Sequence, residues 1–205
     1  MDDLHRIDSS VRPILDARFA AREIGITRSR TIIRSSANAI RALHRGDFDA
    51  ADRLLGEASA ALVDVVTALA DHPDILHAGF VADAAKECAE AHLSRAILTG
   101  SPLPMAADLG IDPVAYLHGL GETVGEARRH LLDLLRAGNL ADSERVLEAM
   151  DSIVDLLATL DYPDGMTSGL RRTTDVARSL VERSRSDLTS TVVQERLRRD
   201  IADRL

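Results

Sequence analysis

The sequence predicts an all-α protein, a single-domain bundle of about six or seven helices. Aromatic residues make up only 2% of the 205 residues and Trp is absent, whereas hydrophobic residues reach 45%. The core must therefore be built from Leu, Ile, Val and Ala, which suits packed helices better than sheets. The length allows one sizeable core, so we expect one domain over residues 1–205.

Helix start and stop signals divide the first half of the chain. A first helix is predicted from about Leu4 to His44, with Ile33 on its apolar side. Asp47 caps a second helix. The apolar stripe of that helix is expected to contain Phe48, Ala51, Leu54, Leu55, Ala58, Leu62, Val65, Val66 and Leu69. A third helix is predicted from about Pro73 to Leu98, where Thr99-Gly100 ends it.

The second half shows the same pattern. Asp112-Pro113, a cap followed by proline at the first helical position, opens a fourth long helix that reaches about Ala137-Gly138. Asn139 or Asp142 caps the next helix. Its buried face is expected to contain Val146, Leu147, Met150, Ile153, Val154 and Leu157. After a turn at 161–165, the apolar side of a last helix is expected to contain Leu170, Ala177, Leu180, Leu188 and Leu197.

Composition restricts the classes of function. A net charge of −8 argues against a protein that coats nucleic acid nonspecifically, although a local basic patch stays open. Cys88 is the single cysteine and excludes an intrachain disulfide, and the first residues lack the pattern of an export signal, so we expect a cytoplasmic protein. No apolar run approaches the roughly 20 residues that span a bilayer, so no membrane partner is expected.

Two glutamate pairs carry the strongest chemical signal. Glu87 and Glu90, three residues apart, project from one side of the third helix, whose other residues are apolar or small in nearly every direction. Such a helix is expected to be largely buried. Burying two like charges without a partner is costly, so a positive group should lie between them.

The second pair, Glu122 and Glu126, stacks on the fourth helix opposite its apolar stripe. One interpretation of that face is a solvated surface. The other is that a ligand or another chain approaches it closely, because the small residues Gly119 and Ala115, one and two turns earlier, leave room for it. Carboxylates on two neighbouring helices suit Mg²⁺ or Mn²⁺, which activates water and stabilises phosphate charge. With 33 acidic residues in the chain, such pairs also arise by accident.

Several segments resemble the translin family. Residues 86–91, Lys-Glu-Cys-Ala-Glu-Ala, are similar to the glutamate-containing motif of the family's central helix. Residues 109–113, 116–120 and 125–129 resemble its Leu-Gly-Ile segment, its Tyr-Leu-x-Gly helix start and its Gly-Glu-Leu block. Residues 162–176 resemble the start of its last helix, with a Leu-Arg-x-x-x-Asp pattern. The segments follow the family's order and resemble translin-associated factor X more than translin.

The resemblance implies an all-α bundle that assembles into a hollow, often octameric, shell. In the factor X branch, acids facing the cavity bind Mg²⁺ and cleave single-stranded RNA, and those acids fall here on Glu87, Glu90, Glu122 and Glu126. Two positions depart from the family. Glu122 stands where aspartate is typical and so lengthens a ligand arm, and Cys88 replaces an aromatic residue.

Three hypotheses follow. The first is a Mg²⁺- or Mn²⁺-dependent endoribonuclease that acts on single-stranded or small structured RNA within a homo-oligomer, with the four glutamates as ligands or water-activating bases. The second is a non-catalytic subunit that binds single-stranded RNA or DNA without turnover. The third is a ferritin-like protein with a carboxylate-bridged metal site. That class needs a Glu-x-x-His pair on each of two helices, whereas Glu126 and His130 are four residues apart and Glu90 and His92 are two apart.

Basic residues suggest where a nucleic acid would bind. Arg30, Arg34, Arg41 and Arg45 lie in a narrow arc of the first helix, and guanidinium groups form bidentate contacts with phosphates. The alternative is a solvated face, or one paired with acids of a neighbouring helix. Because aromatic residues are scarce, RNA binding should be mostly electrostatic and weaken with salt. Three histidines are further candidates for a site: His77, His92 and His130.

Overall fold

The computed structural model describes residues 2–203, which form a bundle of helices. In chain order these are α1 (Asp2–His44), α2 (Phe48–Ala68), α3 (Pro73–Leu76), α4 (Gly79–Thr99), α5 (Ala106–Leu109), α6 (Pro113–Arg136), α7 (Leu140–Thr159), α8 (Asp164–Thr167) and α9 (Leu170–Ala202). Six are long and three are single turns, and residues 2–203 contain no strand. The predicted all-α fold is confirmed. None of these helices is long and apolar enough to cross a bilayer.

Side-chain caps set the helix starts that the sequence predicted. The Asp47 carboxylate accepts a hydrogen bond from the backbone N–H of Ala50 at 3.2 Å. The Asp112 carboxylate accepts from two N–H groups in the first turn of α6. Asn139, not Asp142, caps α7, since its side chain accepts from the Asp142 N–H at 3.2 Å. Each contact satisfies an N–H that has no partner within its helix.

The predicted third helix from Pro73 to Leu98 is wrong at its beginning. The chain forms one turn, α3, and then adopts an extended conformation at Ala78 (φ −72°, ψ 149°) before α4 begins at Gly79. Glycine has a low helix propensity, and α3 packs against α1. No capping side chain marks the break, so the helix pattern of the sequence runs through it.

Helices α4 and α6 lie at the centre of the bundle. They pack against each other, α4 also packs against α1 and α2, and α6 packs against α7 and α9. The expected burial of the third helix is found in α4, and the predicted core face of α7 is buried throughout. The largest side chains that are fully buried include Ile32, Leu69, Leu93, Leu131 and Met150.

Some residues predicted to lie in apolar stripes are exposed. Phe48 and Val66 of α2 are 40% and 41% exposed. On α1 Ile32 is fully buried, whereas Ile33 next to it is 36% exposed. Leu197 lies near the end of α9 and is also exposed. These positions lie at stripe edges or near a helix end, where no neighbouring helix covers them.

Candidate metal centre

The close crossing of α4 and α6 positions the site. A Cβ atom added to Gly119 would lie 2.7 Å from the carbonyl oxygen of Lys86 and 2.8 Å from Cβ of Ala89. Both separations are shorter than van der Waals contact, so only glycine permits this approach. The space beside Gly119 is therefore filled by α4 itself and not left open for a ligand.

Three carboxyl groups come together at this crossing. Glu87 and Glu90 of α4 and Glu122 of α6 each offer an oxygen, and these oxygens lie within 4.8 Å of one another. All three residues are half-buried. This acidic cluster is the one group of three or more potential metal ligands found among residues 2–203. The structure thus brings together three of the four acids identified in the sequence.

Lys86 provides positive charge within the acidic cluster. Its Nζ lies 2.9 Å from each carboxylate oxygen of Glu122 and 3.6 Å from Oε1 of Glu87. Burial opposes the charged form of the lysine, but the hydrogen bond to Glu122 and the nearby negative charges outweigh it and raise the pKa of Lys86. Lys86 therefore pairs with Glu122 and lies beside Glu87, but it does not lie between Glu87 and Glu90, where a positive group was expected.

Glu90 has no such partner. Its carboxyl group forms no ion pair or side-chain hydrogen bond within the described part of the chain. Burial, with the negative charges of Glu87, Glu122 and Glu126, raises the pKa of Glu90 to about 8. Burial also raises the pKa of Glu87, against the opposing effect of Lys86. Hard divalent cations bind carboxylate oxygens, and the Glu90 carboxyl has no cation of the protein to neutralise it when it is ionised.

Glu126 lies outside the acidic cluster. Its Oε2 is 2.5 Å from Nε2 of His44, at the end of α1, and Nε2 is the donor because a carboxylate only accepts. This hydrogen bond outweighs burial and lowers the pKa of Glu126. The His44 side chain is only 4% exposed. The role of Glu126 as a metal ligand stays a prediction, since the structure pairs it with His44.

The arginines predicted to bind nucleic acid are exposed, three of them on α1 and Arg45 directly after its end. Arg41 donates a hydrogen bond to the side chain of Asn38. Arg30, Arg34 and Arg45 form no ion pair with any acid among residues 2–203. The alternative that these arginines pair with acids of a neighbouring helix is therefore not found there. Their guanidinium groups face solvent.

The three candidate histidines lie outside the acidic cluster. Nε2 of His92 is 2.8 Å from Oγ of Ser59, and burial lowers the pKa of His92. Burial, with the nearby His44, also lowers the pKa of His130. His77 is exposed at the edge of a neighbouring cleft. None contributes to the group of three carboxyls.

That cleft has a volume of about 570 Å³ and opens beside the acidic cluster. Lys86 and Glu122 form part of its wall, and the rest comes from α2, α3, α4, α6, α8 and the loop that precedes α6. Its apolar lining includes Leu62, Val66, Leu76, Val81, Val114 and Met166. Of the three carboxylates of the cluster, Glu122 is the one that lines this cleft.

Sequence reasoning missed two residues of this region. Lys86 is the only lysine of the chain and precedes Glu87 directly, which is the signal that could have identified it as a positive group beside the cluster. His44 lies 82 positions from Glu126, and no local pattern connects the two. Only the packing of α1 against the bundle brings this pair together.

Fold and site define an all-helical protein with a carboxylate cluster between its two central helices. Its structure is similar to that of AfC3PO in a complex with duplex RNA, at 33% identity and a TM-score of 0.84, over 91% of this chain and 96% of that one. AfC3PO alone matches at 32% identity and the same TM-score, over 91% and 97%. The structure of apo-NeC3PO, at 18% identity and a TM-score of 0.80, over 89% and 96%, shows the fold alone.

The chain belongs to the translin family, which includes these C3PO proteins. The family resemblance of the sequence motifs is thereby confirmed. An uncharacterized protein of Methanocaldococcus jannaschii is 29% identical over 181 residues, which is 87% of this chain and 80% of that protein. No protein-family model matches the sequence.

Proposed function

We propose that this protein is a divalent-cation-dependent endoribonuclease that acts on single-stranded or small structured RNA as a homo-oligomer. The observation that carries the proposal is the convergence of Glu87, Glu90 and Glu122 within 4.8 Å. Binding of RNA is supported by a relative of the same family, AfC3PO, whose structure is a complex with duplex RNA.

The acidic cluster fits Mg²⁺ or Mn²⁺. Oxygen ligands on opposite sides of Mg²⁺ lie about 4.2 Å apart, comparable to the 4.8 Å spread of the three carboxylate oxygens. Burial and the neighbouring carboxylates raise the pKa of Glu90 to about 8, so a bound cation would favour its ionised form. Glu87, Glu90 and Glu122 are therefore the residues that would hold the cation.

The chemistry that such a cation supplies is activation of water and stabilisation of negative charge on phosphate. Glu126 would supply a fixed negative charge beside the site, because its hydrogen bond with His44 keeps the carboxylate ionised, while its lowered pKa makes it a weak proton acceptor. Burial of Glu87 and Glu90 strengthens their electrostatic interactions with any charge bound beside them.

The retained set of four acids supports the factor X branch of the family over translin itself. Glu122 replaces the aspartate typical of that branch, and its longer arm reaches the ammonium group of Lys86. The exposed residues Arg30, Arg34 and Arg41 are proposed to bind RNA phosphates through bidentate contacts.

Exposed apolar residues on the first half of α1 support assembly. Six of them recur along this part of the helix and are 44% to 71% exposed: Leu4, Ile7, Val11, Ile14, Leu15 and Phe19. A contiguous apolar face of this kind is typical of a protein–protein interface. We propose that it is covered by further copies of the chain, in an octamer.

A cleavage assay tests the proposal. The purified protein is incubated with end-labelled single-stranded RNA in Mg²⁺ or Mn²⁺, and parallel samples contain a chelator. We expect cleavage only with metal, and loss of cleavage in Glu90→Gln and Glu126→Gln while the circular dichroism spectrum is unchanged. Glu182→Gln, at an exposed position on α9, is the matched control and should cut normally. A quadruple Gln variant that cuts RNA as fast as the parent would refute the assignment.

The second candidate is a non-catalytic RNA-binding subunit. The observation that favours it is that Lys86 and His44 already pair with two of the four acids, Glu122 and Glu126. This candidate predicts a gel shift with RNA but no products in either metal. The same RNA, protein and metal series therefore separates the two candidates.

A further inference from the structure

We propose that Lys86 is an internal counter-ion that holds the acidic cluster together before metal is bound, and that a divalent cation must displace it. Lys86 is then a positioning residue that sets the affinity of the site for the cation. The inference rests on the proposed function, because it deepens the account of the same site.

The geometry places the ammonium group where a cation would bind. Nζ of Lys86 is 2.9 Å from both carboxylate oxygens of Glu122 and 3.6 Å from Oε1 of Glu87. An ammonium group and a metal ion need the same oxygen lone pairs, and their charges repel each other. The lysine side chain is only 22% exposed, so solvent screens this competition weakly.

The surroundings allow the side chain to leave. The backbone of Lys86 is fixed where α4 meets Gly119. Its side chain forms part of the wall of the 570 Å³ cleft. A lysine has a flexible four-carbon stem, so the ammonium group can move towards the cleft while the backbone stays in place.

The type of residue is consistent with this role. Lys86 is the only lysine among 25 basic residues, and the others are arginine. A guanidinium group forms a planar, forked pair with a carboxylate, whereas an ammonium group is a compact charge that resembles a metal ion. An arginine at this position would also oppose the cation, because it keeps the positive charge.

Metal affinity of charge-removed variants tests the inference. Full-length protein is stripped with a chelator, dialysed and titrated with Mn²⁺ in a calorimeter. We expect Lys86→Gln and Lys86→Met to bind Mn²⁺ at least about tenfold more tightly than the parent. Lys86→Met keeps the apolar stem and so protects the test against a folding defect. Lys86→Arg should bind no more tightly than the parent.

Arg95→Gln is the matched control. Arg95 lies on the same helix, and its replacement also removes one positive charge and one ion pair, to Asp52. Its Mn²⁺ affinity should stay within about twofold of the parent, because the charge lies more than a Debye length along the helix from Lys86. A gain of affinity confined to position 86 cannot arise from damage to the fold.

Thermal unfolding in chelator provides the second measurement. Without metal, Lys86→Gln leaves Glu87 and Glu122 unpaired, so its Tm should fall by about 2–6 °C. Adding Mn²⁺ should raise the Tm of this variant more than that of the parent. Parent-like Mn²⁺ affinity in both Lys86→Gln and Lys86→Met, or a parent-like Tm in chelator, would overturn the inference while the metal site stands. If neither parent nor variants bind Mn²⁺, the proposed function fails as well.

Discussion

Glu90, Glu122 and Glu126 are chemically the same side chain, yet their surroundings differ. Glu122 is paired with Lys86, Glu126 with His44, and Glu90 with no cation in the described chain. The pKa of Glu90 is accordingly raised to about 8, while the pKa of Glu126 is lowered. Local pairing therefore decides which carboxyl lacks a positive partner and which is held in its ionised form.

The raised pKa of Glu90 predicts how stability depends on pH. Its folded value of about 8 lies above the ordinary value of 4.5, so the unfolded chain loses this proton first and stability falls as pH rises between the two values. In metal-free protein at pH 8, Glu90→Gln should raise the free energy of unfolding by about 1–3 kcal/mol. At pH 4 both proteins should be equally stable.

Urea unfolding in chelator at pH 4 and pH 8 measures this difference, with Glu182→Gln as the control. Equal stability of parent and Glu90→Gln at pH 8 would mean that Glu90 carries no desolvation cost.

His44 predicts an effect of the opposite sign on Glu126. The pKa of this carboxyl is lowered chiefly by the hydrogen bond from His44, against burial. His44→Ala removes the hydrogen bond and leaves burial, so the pKa of Glu126 should rise. The free energy of unfolding of this variant should fall by about 1–3 kcal/mol at neutral pH. The stability that the lowered pKa provides is present above the ordinary value and disappears in acid, so the difference between the two proteins should shrink at low pH to the cost of the lost imidazole packing. Carbon-13 NMR of labelled glutamate follows the titration, and an unchanged Glu126 curve would contradict this account.

At the scale of whole helices, the contact between α4 and α6 decides whether the carboxyls meet. Gly119→Ala would place a methyl group 2.7 Å from the Lys86 carbonyl oxygen and should destabilise the protein by about 1–3 kcal/mol. Gly125→Ala on the same helix meets nothing closer than 3.9 Å and should stabilise by about 0.5–1 kcal/mol. Thermal denaturation compares the two. If Gly119→Ala were as stable as Gly125→Ala, the close approach would not be needed.

The helices also show what a sequence can and cannot predict. Caps such as Asp47, Asp112 and Asn139 act within one turn, so local pattern identifies them. The break at Ala78 has no capping side chain, so Gly79 is only a weak local signal for it, and α3 there packs against α1, which is distant in the sequence.

The same distinction applies to the acidic cluster. Helical spacing identifies Glu87 and Glu90 as one pair and Glu122 and Glu126 as another, because each pair lies on one helix. Within the second pair, Glu122 contacts Lys86 of α4, whereas Glu126 contacts His44 of α1. Helical spacing gives no sign of this difference. Contacts between distant parts of the chain therefore determined the part of the site that sequence patterns missed.

For the molecule as a whole, the exposed apolar residues of α1 predict self-association. Replacing Ile7, Ile14 and Phe19 together by Gln should lower the oligomer mass, because the change removes exposed apolar area without touching the core. Light scattering after gel filtration measures the mass, and circular dichroism confirms that the helices are intact. A matched triple variant at exposed polar positions of the same helix is Asp8→Asn, Ser9→Gln and Asp16→Asn. An apolar-to-Gln variant with the parent's mass would exclude this face from the interface.

The central claim is that α4 and α6 together hold a divalent cation, and crystals soaked in Mn²⁺ test it most directly. The account predicts an anomalous difference peak bounded by the carboxylates of Glu87, Glu90 and Glu122, with the ammonium group of Lys86 moved away from Glu122. Crystals with Mn²⁺ bound elsewhere, and with Lys86 still paired with Glu122, would contradict it.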